Sequence, residues 1–276
     1  MMNFHGKRVL ITGSTRGIGR AAAEMFVEAG ATVAVNSRNA DDVSRAINEI
    51  GGTRLVAAPG DVSTVEGCRT VVDAAVAAMG GLDVLVNNAS VCHRAYPTDV
   101  TEEHWDQVMN VNLKGPMFVT RFALPELRKS QGAVVMVGSA LGLIAGPTDS
   151  FVYAVSKGGL VNMTRALAIE LAGEGVRVNA VCAGYADTFG EQTGNLIRQR
   201  LLGLVERAVP AQRMGTTREC ASAILYFASK EAAYCTGAIL ANDGGMVAGA
   251  TAGGANAEAA SSGTEKYASN YQEGRA

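Results

Sequence analysis

The chain has 276 residues, of which 48% are hydrophobic and 18% are charged. This composition can bury a large core, so it excludes an intrinsically disordered chain. Lys and Arg number 24 against 26 Asp and Glu, so the formal net charge is −2, and the sequence contains no basic block. Nucleic-acid binding is therefore disfavoured, because phosphates require clustered Lys and Arg side chains.

The five cysteines and three histidines are scattered along the chain. The cysteines form no C-x-x-C pair, which argues against a disulfide framework and against a zinc site. The first residues contain no apolar stretch of signal-peptide length, and the longest apolar run, at about 133–146, is shorter than the roughly 18 residues of a membrane span. We therefore expect a cytoplasmic protein that binds no metal and enters no membrane.

In chain order, short β-branched segments alternate with longer segments of helical periodicity. The predicted strands cover residues 8–12, 32–36, 53–57, 83–86, 133–137, 176–181 and 238–241. The predicted helices cover residues 18–29, 41–50, 65–79, 102–128, 153–172 and 218–229. Such alternation, with strands that are apolar throughout, is typical of parallel sheets covered on both faces. The pattern predicts an α/β fold with a single doubly wound, Rossmann-type parallel sheet of seven strands and helices on both faces.

Two segments stand outside this alternation. Residues 185–213 are polar and follow no clear period, so we expect an irregular loop that covers a substrate. Residues 249–276 are rich in Gly, Ala and Ser and contain no Leu, Ile, Val, Phe or Met, so we expect a flexible tail. No second alternation begins anywhere, and residues 1–248 are therefore predicted to form one domain.

The first predicted strand leads directly into a glycine-rich turn and then a helix. The turn comprises Gly13, Ser14, Thr15, Arg16, Gly17, Ile18 and Gly19. Glycines let the backbone approach a ligand closely, and the N-terminus of a helix attracts a pyrophosphate. We interpret the turn as a dinucleotide-binding loop. The alternative is a strand-to-helix turn that binds no ligand.

The residues after the second predicted strand indicate which dinucleotide is bound. Ser37 and Arg38 stand there, and the first carboxylate comes only at Asp41. An acidic residue would bind a free ribose 2′-hydroxyl, whereas an arginine accommodates a 2′-phosphate. Arg16 is expected to extend toward the same region, and two guanidiniums with a hydroxyl suit a phosphate. The sequence therefore favours NADP(H) over NAD(H), unless Arg38 is merely a solvated loop charge.

Tyr153 and Lys157 are four residues apart near the start of a predicted helix, so they share one face. A tyrosine with its ordinary pKa near 10 is a poor base at neutral pH, and a nearby positive charge lowers that pKa. Lys157, together with an oxidised nicotinamide, could make Tyr153 a usable acid/base. The spacing alone is common in helices. Ser139 makes it informative, because it ends an apolar strand, where open α/β sheets bind their ligands.

Together, these motifs resemble those of the short-chain dehydrogenases/reductases, over residues 7–245. The matching motifs are the TGxxxGIG turn, Asp61-Val62, Asn87-Asn88-Ala89, Asn112, Ser139, the YxxxK pair and Asn242-Asp243-Gly244-Gly245. The resemblance implies a catalytic tetrad of Asn112, Ser139, Tyr153 and Lys157. Tyr153 would exchange a proton with the substrate oxygen, which Ser139 would bind. Lys157 would lower the tyrosine pKa and bind the nicotinamide ribose, and Asn112 would hold a water that relays protons.

The resemblance also implies further cofactor contacts and shows four departures. Asp61 and Val62 would contact the adenine, Asn88 and Ala89 the ribose, and Thr188 with the backbone of Ala186 the carboxamide. Ser90 replaces a common glycine, Ala183 a proline and Asn242 a valine, and Tyr153 follows Ser139 by 14 positions, one more than is common. We expect these departures to alter the shape of the pocket and not its chemistry.

The function that follows is an NADP(H)-dependent oxidoreductase (EC 1.1.1.-) that interconverts a small ketone and a secondary alcohol. One alternative is reduction of 3-oxoacyl groups on an acyl carrier protein, which would need a basic docking surface. Arg128 and Lys129 offer such charge, but Glu174 is expected nearby. The same scaffold could also serve an epimerase, a dehydratase or a dehalogenase, or a sensor that binds the cofactor without catalysis.

Three further expectations concern packing and the substrate. Cys92, His93 and Tyr96 follow the fourth strand and could face the substrate, or could simply lie at the surface. Trp105 is expected in the core. The two long helices, 102–128 and 153–172, are apolar on more than one face, so we expect them to pack across a twofold axis in a homodimer or homotetramer.

Overall fold

The structure, a computed structural model, describes residues 2–145, 149–188 and 195–251. Its strands are β1 (Arg8–Ile11), β2 (Thr32–Val35), β3 (Leu55–Ala57), β4 (Val84–Asn87), β5 (Ala133–Ser139), β6 (Arg177–Ala183), β7 (Ala186–Asp187), β8 (Gly215–Thr216) and β9 (Ile239–Asn242). Seven of them form one parallel sheet in the order β3-β2-β1-β4-β5-β6-β9, while β7 and β8 pair separately. The predicted seven-stranded, doubly wound sheet is confirmed.

Helices cover both faces of the sheet. They are α1 (Gly17–Glu28), α2 (Ala40–Ile50), α3 (Val65–Met79), α4 (Glu102–Met109), α5 (Gly115–Ser130), α6 (Phe151–Ala172), α7 (Asn195–Ala208), α8 (Thr217–Ala228) and α9 (Met246–Thr251). Along β1, Val9 and Ile11 pack in a core with α1 and α8, whereas Leu10 packs on the other side with α3, α5 and α6. This alternation produces the doubly covered sheet, because successive strand residues face opposite sides.

The helix predicted at 102–128 is not continuous. Residues Asn110–Lys114 form a π turn between α4 and α5, in which the N–H of Gly115 donates to the carbonyl of Asn110. The sequence contains a reason. Pro116 has no N–H to donate to the carbonyl of Asn112, which lies four residues before it. Single π turns inside α-helices often occur at functional sites.

The prediction of an irregular loop at 185–213 is wrong for the second half of that segment. Helix α7 occupies Asn195–Ala208, and Val205 is buried in a small cluster with Ala140, Val209 and Met246. The spacing of the apolar residues between 196 and 208 was a helical signal. Residues 189–194 of the predicted loop lie outside the described residues.

Two further expectations are affected. Helix α9 extends to Thr251, so the first three residues of the predicted tail are helical, and residues 252–276 lie outside the described residues. Trp105 does not belong to the core: it is 37% exposed, and Val108 is the buried residue of α4. Helix α4 is short and mostly polar, so it buries Val108 and leaves the Trp105 side chain partly exposed. Within the described residues, no helix has the length and apolarity needed to span a membrane.

Candidate active site

The glycine-rich turn between β1 and α1 is packed too tightly for side chains. Gly13 and Gly17 have φ values of 63° and 58°, in the left-handed region that glycine tolerates. A Cβ on Gly13 would lie 2.9 Å from the Cα of Ala89, and one on Gly19 would lie 2.4 Å from the amide nitrogen of Asn88. The glycines therefore bring the turn directly against the end of β4, where open sheets bind ligands.

Two polar residues that the sequence analysis did not single out support this turn. The side-chain oxygen of Asn36 accepts from the N–H of Gly13 at 3.1 Å, and its amide donates to the carbonyl of Ala58 at 2.8 Å. The hydroxyl oxygen of Thr12 accepts from the N–H groups of residues 88 and 89, both at 3.0 Å. The signal available in the sequence was a polar residue directly after each apolar strand.

Two predicted cofactor residues use their side chains to hold the turn. The buried hydroxyl of Ser14 donates to the carbonyl of Ile11 at 2.8 Å and accepts from the N–H of Asn36 at 3.0 Å. The Asn88 amide donates to the carbonyls of Thr12 and Gly13, both at 2.9 Å. Both side chains therefore fix the shape of the turn, and direct cofactor contacts by Ser14 and Asn88 stay predictions.

Arg16 and Arg38 are both exposed. In the part of the chain that the structure describes, neither guanidinium makes a hydrogen bond or an ion pair with another residue. Other surface arginines are paired, as Arg94 is with Asp149 at 3.0 Å and Arg218 with Glu28 at 2.8 Å. Arg16 and Arg38 can therefore bind an anion without first breaking a salt bridge.

The remaining predicted cofactor residues lie along the same edge. The half-buried residues Thr15, Ile18 and Ser37 flank the turn, and Val62 is buried beside Asp61, whose carboxylate accepts from the N–H of Ser63 at 2.9 Å. On the other side, a Cβ on Gly17 would contact Thr188 at 3.5 Å, and the Thr188 N–H donates to the carbonyl of Ala186 at 2.9 Å. The segment after β6 thus lies over the glycine-rich turn.

Ser139, Tyr153 and Lys157 meet at the carboxyl end of β5. Lys157 is only 2% exposed, and its ammonium donates to the carbonyl of Val137 at 2.9 Å. The same nitrogen lies 5.6 Å from the centroid of the Tyr153 ring. Ser139 lies near the Tyr153 hydroxyl, close enough to influence its pKa. The fold therefore brings these three predicted residues together, with Ser139 and Lys157 buried and Tyr153 half-buried.

The burial of this cluster sets its proton affinities. Burial raises the pKa of Tyr153 above its ordinary value, while side-chain hydrogen bonds from Ser139 and Ser90 act to lower it. Burial also lowers the pKa of Lys157 to about 8. In the protein by itself, Tyr153 is thus a neutral phenol at neutral pH. The sequence analysis expected Lys157 and an oxidised nicotinamide together to lower the pKa of Tyr153. The chain alone does not produce that lower pKa.

Asn112 lies in the π turn, and its buried side-chain amide makes four hydrogen bonds. Its nitrogen donates to the carbonyl of Val91 at 2.8 Å and to the hydroxyl of Ser156 at 3.1 Å. Its oxygen accepts from the N–H of Val91 at 2.9 Å and from the hydroxyl of Ser90 at 3.2 Å. Asn112 therefore ties the loop after β4 to helix α6.

The residues expected on the substrate side are more exposed. Cys92 and Tyr96 are exposed, whereas His93 packs toward α4, with Nε2 at 2.6 Å from the Gln107 side-chain oxygen and its ring stacked on His104. The backbone of this loop is tied to residue 149 by the N–H of residue 95. Among the described residues, no group of three His, Cys, Asp or Glu side chains could hold a metal ion.

Comparisons with known proteins agree with this geometry. A family model described as "Enoyl-(Acyl carrier protein) reductase" matches residues 13–247. An uncharacterized oxidoreductase of Thermotoga maritima is 38% identical over 90% of this chain and all of its own length. The 3-oxoacyl-[acyl-carrier-protein] reductase FabG of the same organism is 37% identical, over 89% of this chain and all of that protein.

A solved structure supports the same relationship. A Sinorhizobium meliloti protein, described as a "putative short-chain alcohol dehydrogenase", superposes with a TM-score of 0.83 at 36% identity. The match covers 89% of this chain and 98% of that one. The family model spans most of the chain, and the seven-stranded parallel sheet agrees with this relationship. The chain belongs to the short-chain dehydrogenase/reductase family of oxidoreductases.

Proposed function

We propose that this protein is an NADP(H)-dependent oxidoreductase that interconverts a ketone and a secondary alcohol. The observation that carries the proposal is that Tyr153 lies between Ser139 and the buried Lys157 ammonium, which is 5.6 Å from the centroid of the tyrosine ring, at the edge of the sheet next to the glycine-rich turn. Residues 1–248 would contain both the cofactor site and the catalytic site.

The residues present fit a nicotinamide dinucleotide. The turn begins at Gly13 and ends at Gly19, and neither residue has a side chain. A Cβ at these two positions would clash with residues 88 and 89. The backbone of the turn is therefore open to a pyrophosphate. NADPH would supply the hydride when bound. Tyr153 would donate its proton to the carbonyl oxygen, and Ser139 would hold that oxygen by a hydrogen bond.

Lys157 would support this step by its charge. The ammonium is buried, so its field at Tyr153 is weakly screened and favours the deprotonated tyrosine that remains after proton transfer. The side-chain amide of Asn112 is fully used within the protein. A relay water would therefore bind the Asn112 carbonyl, whose α-helical donor is missing because residue 116 is proline.

The preference for NADP(H) rests on the two free guanidiniums. Arg16 and Arg38 are exposed and carry no ion pair within the described residues, and Ser37 lies beside them after β2. Arginine pairs well with a 2′-phosphate, and no carboxylate stands at the end of β2 to bind a free 2′-hydroxyl.

A small-molecule substrate is favoured over a carrier-bound one. Arg128 is neutralised by Glu174 at 2.6 Å, and Lys129 by Glu126 at 2.5 Å. A surface whose cations are already paired attracts an acidic carrier protein weakly. The similarity to FabG nevertheless favours 3-oxoacyl reduction as the second candidate. Acyl thioesters on a carrier therefore belong in the substrate test.

We also propose a homodimer or homotetramer. Helix α6 exposes Val155 and Ile169, the latter by 79%, and helix α5 exposes Met117. Apolar side chains on two long neighbouring helices form the kind of surface that a twofold contact covers.

The test follows nicotinamide absorbance with NADPH or NADH and a panel of ketones, diketones, sugar ketones and 3-oxoacyl thioesters, free and carrier-bound. We expect NADPH-dependent reduction of a small ketone that is lost in Tyr153→Phe. Equal rates with NADH would contradict the cofactor assignment. Preference for a carrier-bound thioester would replace the leading substrate class by the second one.

A further inference from the structure

Ser156 lies on helix α6 between Tyr153 and Lys157, and its side chain is fully buried. Its hydroxyl donates to the backbone carbonyl of Tyr153 at 2.7 Å. The same oxygen accepts from the side-chain nitrogen of Asn112 at 3.1 Å. The serine therefore links the start of the helix that carries Tyr153 and Lys157 to the π turn that carries Asn112.

The atoms involved fix the direction of both hydrogen bonds. A backbone carbonyl can only accept, so the single proton of the Ser156 hydroxyl points to Tyr153, and the Ser156 oxygen serves Asn112 as an acceptor. The other end of the Asn112 amide agrees with this direction. Its nitrogen donates to the carbonyl of Val91 at 2.8 Å, and its oxygen accepts from the N–H of Val91 at 2.9 Å. A flipped amide would place its oxygen against the carbonyl of Val91, so one orientation fits.

Burial makes the link between Ser156 and Asn112 difficult to replace. Both residues are 0% exposed, so bulk water cannot supply a partner for the Asn112 nitrogen if the serine oxygen is removed. A buried amide that loses a hydrogen bond pays the cost of its desolvation, and the surrounding groups then shift to reduce that cost. The groups that would shift here are the π turn and the start of α6.

Thr164, eight residues later on α6, provides a comparison within the same helix. It is also fully buried, and its hydroxyl donates to the carbonyl of Leu160 at 2.8 Å. Among the residues that the structure describes, this hydroxyl has no hydrogen bond to another element. A buried hydroxyl that bonds to its own helix is therefore not unusual in α6. The second partner, on the π turn, distinguishes Ser156.

We propose that Ser156 is a positioning residue for the proton transfer, because it holds Asn112 in a fixed place relative to Tyr153 and Lys157. The inference rests on the proposed function. In reduction, the O–H bond of Tyr153 breaks and a new O–H bond forms on the substrate oxygen, while the hydride of NADPH adds to the carbon. Ser156 keeps its proton throughout. A shift of the π turn against α6 would move the Asn112 carbonyl, to which the proposed relay water binds, and small displacements slow such steps strongly.

Ser156→Ala removes the hydroxyl and keeps a residue that favours helix. We expect kcat for ketone reduction to fall about tenfold. KM for the ketone and the dissociation constant of NADPH should stay within about twofold of the wild type, because positioning for proton transfer affects the reacting state and not ground-state binding. Thr164→Val, which removes a buried hydroxyl from the same helix, is the matched control and should keep the wild-type kcat.

A double-mutant cycle tests the route of the effect. If Ser156 acts through Asn112, Ser156→Ala should lower kcat about tenfold in the wild type but less than about twofold in the Asn112→Ala background. Two effects that multiply would show that Ser156 acts independently of Asn112, which would overturn the proposal. An unchanged kcat in Ser156→Ala, or an equal loss in Thr164→Val, would overturn it as well.

Tyr153→Phe, measured beside these variants with the same ketone, separates the inference from the proposed function. If Tyr153→Phe keeps the wild-type turnover, the proposed function fails, and the role of Ser156 fails with it. If turnover is lost in Tyr153→Phe and unchanged in Ser156→Ala, only the role of Ser156 fails. Loss in Tyr153→Phe, a lower kcat at unchanged KM in Ser156→Ala and a cycle that does not multiply would support both.

Discussion

The side of the candidate site expected to bind the cofactor and the side expected to face the substrate are built differently. Around the glycine-rich turn, polar side chains such as Ser14 and Asn36 are buried, and their hydrogen bonds go to backbone groups. On the expected substrate side, the outer part of the loop after β4 carries an exposed ion pair between Arg94 and Asp149. Buried polar groups are costly to leave unpaired, whereas exposed ion pairs contribute little. We therefore expect the rigid region to fix the chemistry and the outer loop to influence the choice of substrate.

The largest expected effect comes from the buried charge of the tetrad. Lys157→Met keeps the length of the side chain but removes its ammonium, so we expect kcat to fall by about 10³-fold. Lys129→Met, an exposed substitution of the same type, should leave kcat unchanged. In the wild type, the charge is lost as pH rises through about 8. The value of kcat/KM for NADPH should therefore fall about tenfold for each pH unit above that midpoint.

The second prediction concerns the packing of the glycine-rich turn. A Cβ on Gly19 would lie 2.5 Å from the carbonyl of Gly13, and backbone cannot move aside easily. We expect Gly19→Ala to lower the free energy of unfolding by about 1–3 kcal/mol and to weaken NADPH binding. Gly173→Ala is the matched control, because nothing lies within 4 Å of its Cβ. Chemical denaturation and cofactor fluorescence measure the two effects. A Gly19→Ala variant as stable as Gly173→Ala would refute this view of the turn.

The third prediction tests the exposed end of the cofactor side. Arg38→Asp replaces a free guanidinium by a carboxylate that can bind a ribose 2′-hydroxyl and repels a 2′-phosphate. We expect the ratio of kcat/KM for NADPH to that for NADH to fall by about 10- to 100-fold, with stability unaffected. Arg45→Asp, on the exposed face of α2, is the control for a charge change nearby. Unaltered selectivity in Arg38→Asp would rule out the 2′-phosphate role.

The smallest effect on stability is expected on the substrate side. The Arg94–Asp149 pair is exposed, so Arg94→Ala should change the free energy of unfolding by less than about 1 kcal/mol. We expect KM for the ketone to change more than kcat, because Arg94 pairs with Asp149 and not with a predicted member of the tetrad. Thermal unfolding and steady-state kinetics measure the two quantities. A large loss of stability would show that this loop belongs to the rigid region after all.

The contrast between the two regions also explains what the sequence could predict. Strands such as β5 are apolar throughout and lead directly into Ser139, so the sheet and the Tyr-Lys pair followed from local pattern. The π turn at Asn112 was missed because residues 102–128 were predicted as one helical segment and Pro116 was not used as a sign of an interruption. The role of Asn36 was missed because its partners, Gly13 and Ala58, are distant in the chain. Helix α7 was missed because its polar residues obscured its apolar spacing.

The central claim is that Tyr153 donates the proton in hydride transfer from NADPH. The most direct measurement compares the rate of NADPH oxidation by wild type and Tyr153→Phe, with a ketone that the wild type reduces and with NADPH affinity measured in both. We predict equal NADPH affinity and a loss of at least about 10³-fold in rate for Tyr153→Phe. Reduction at a similar rate in the variant would contradict the account.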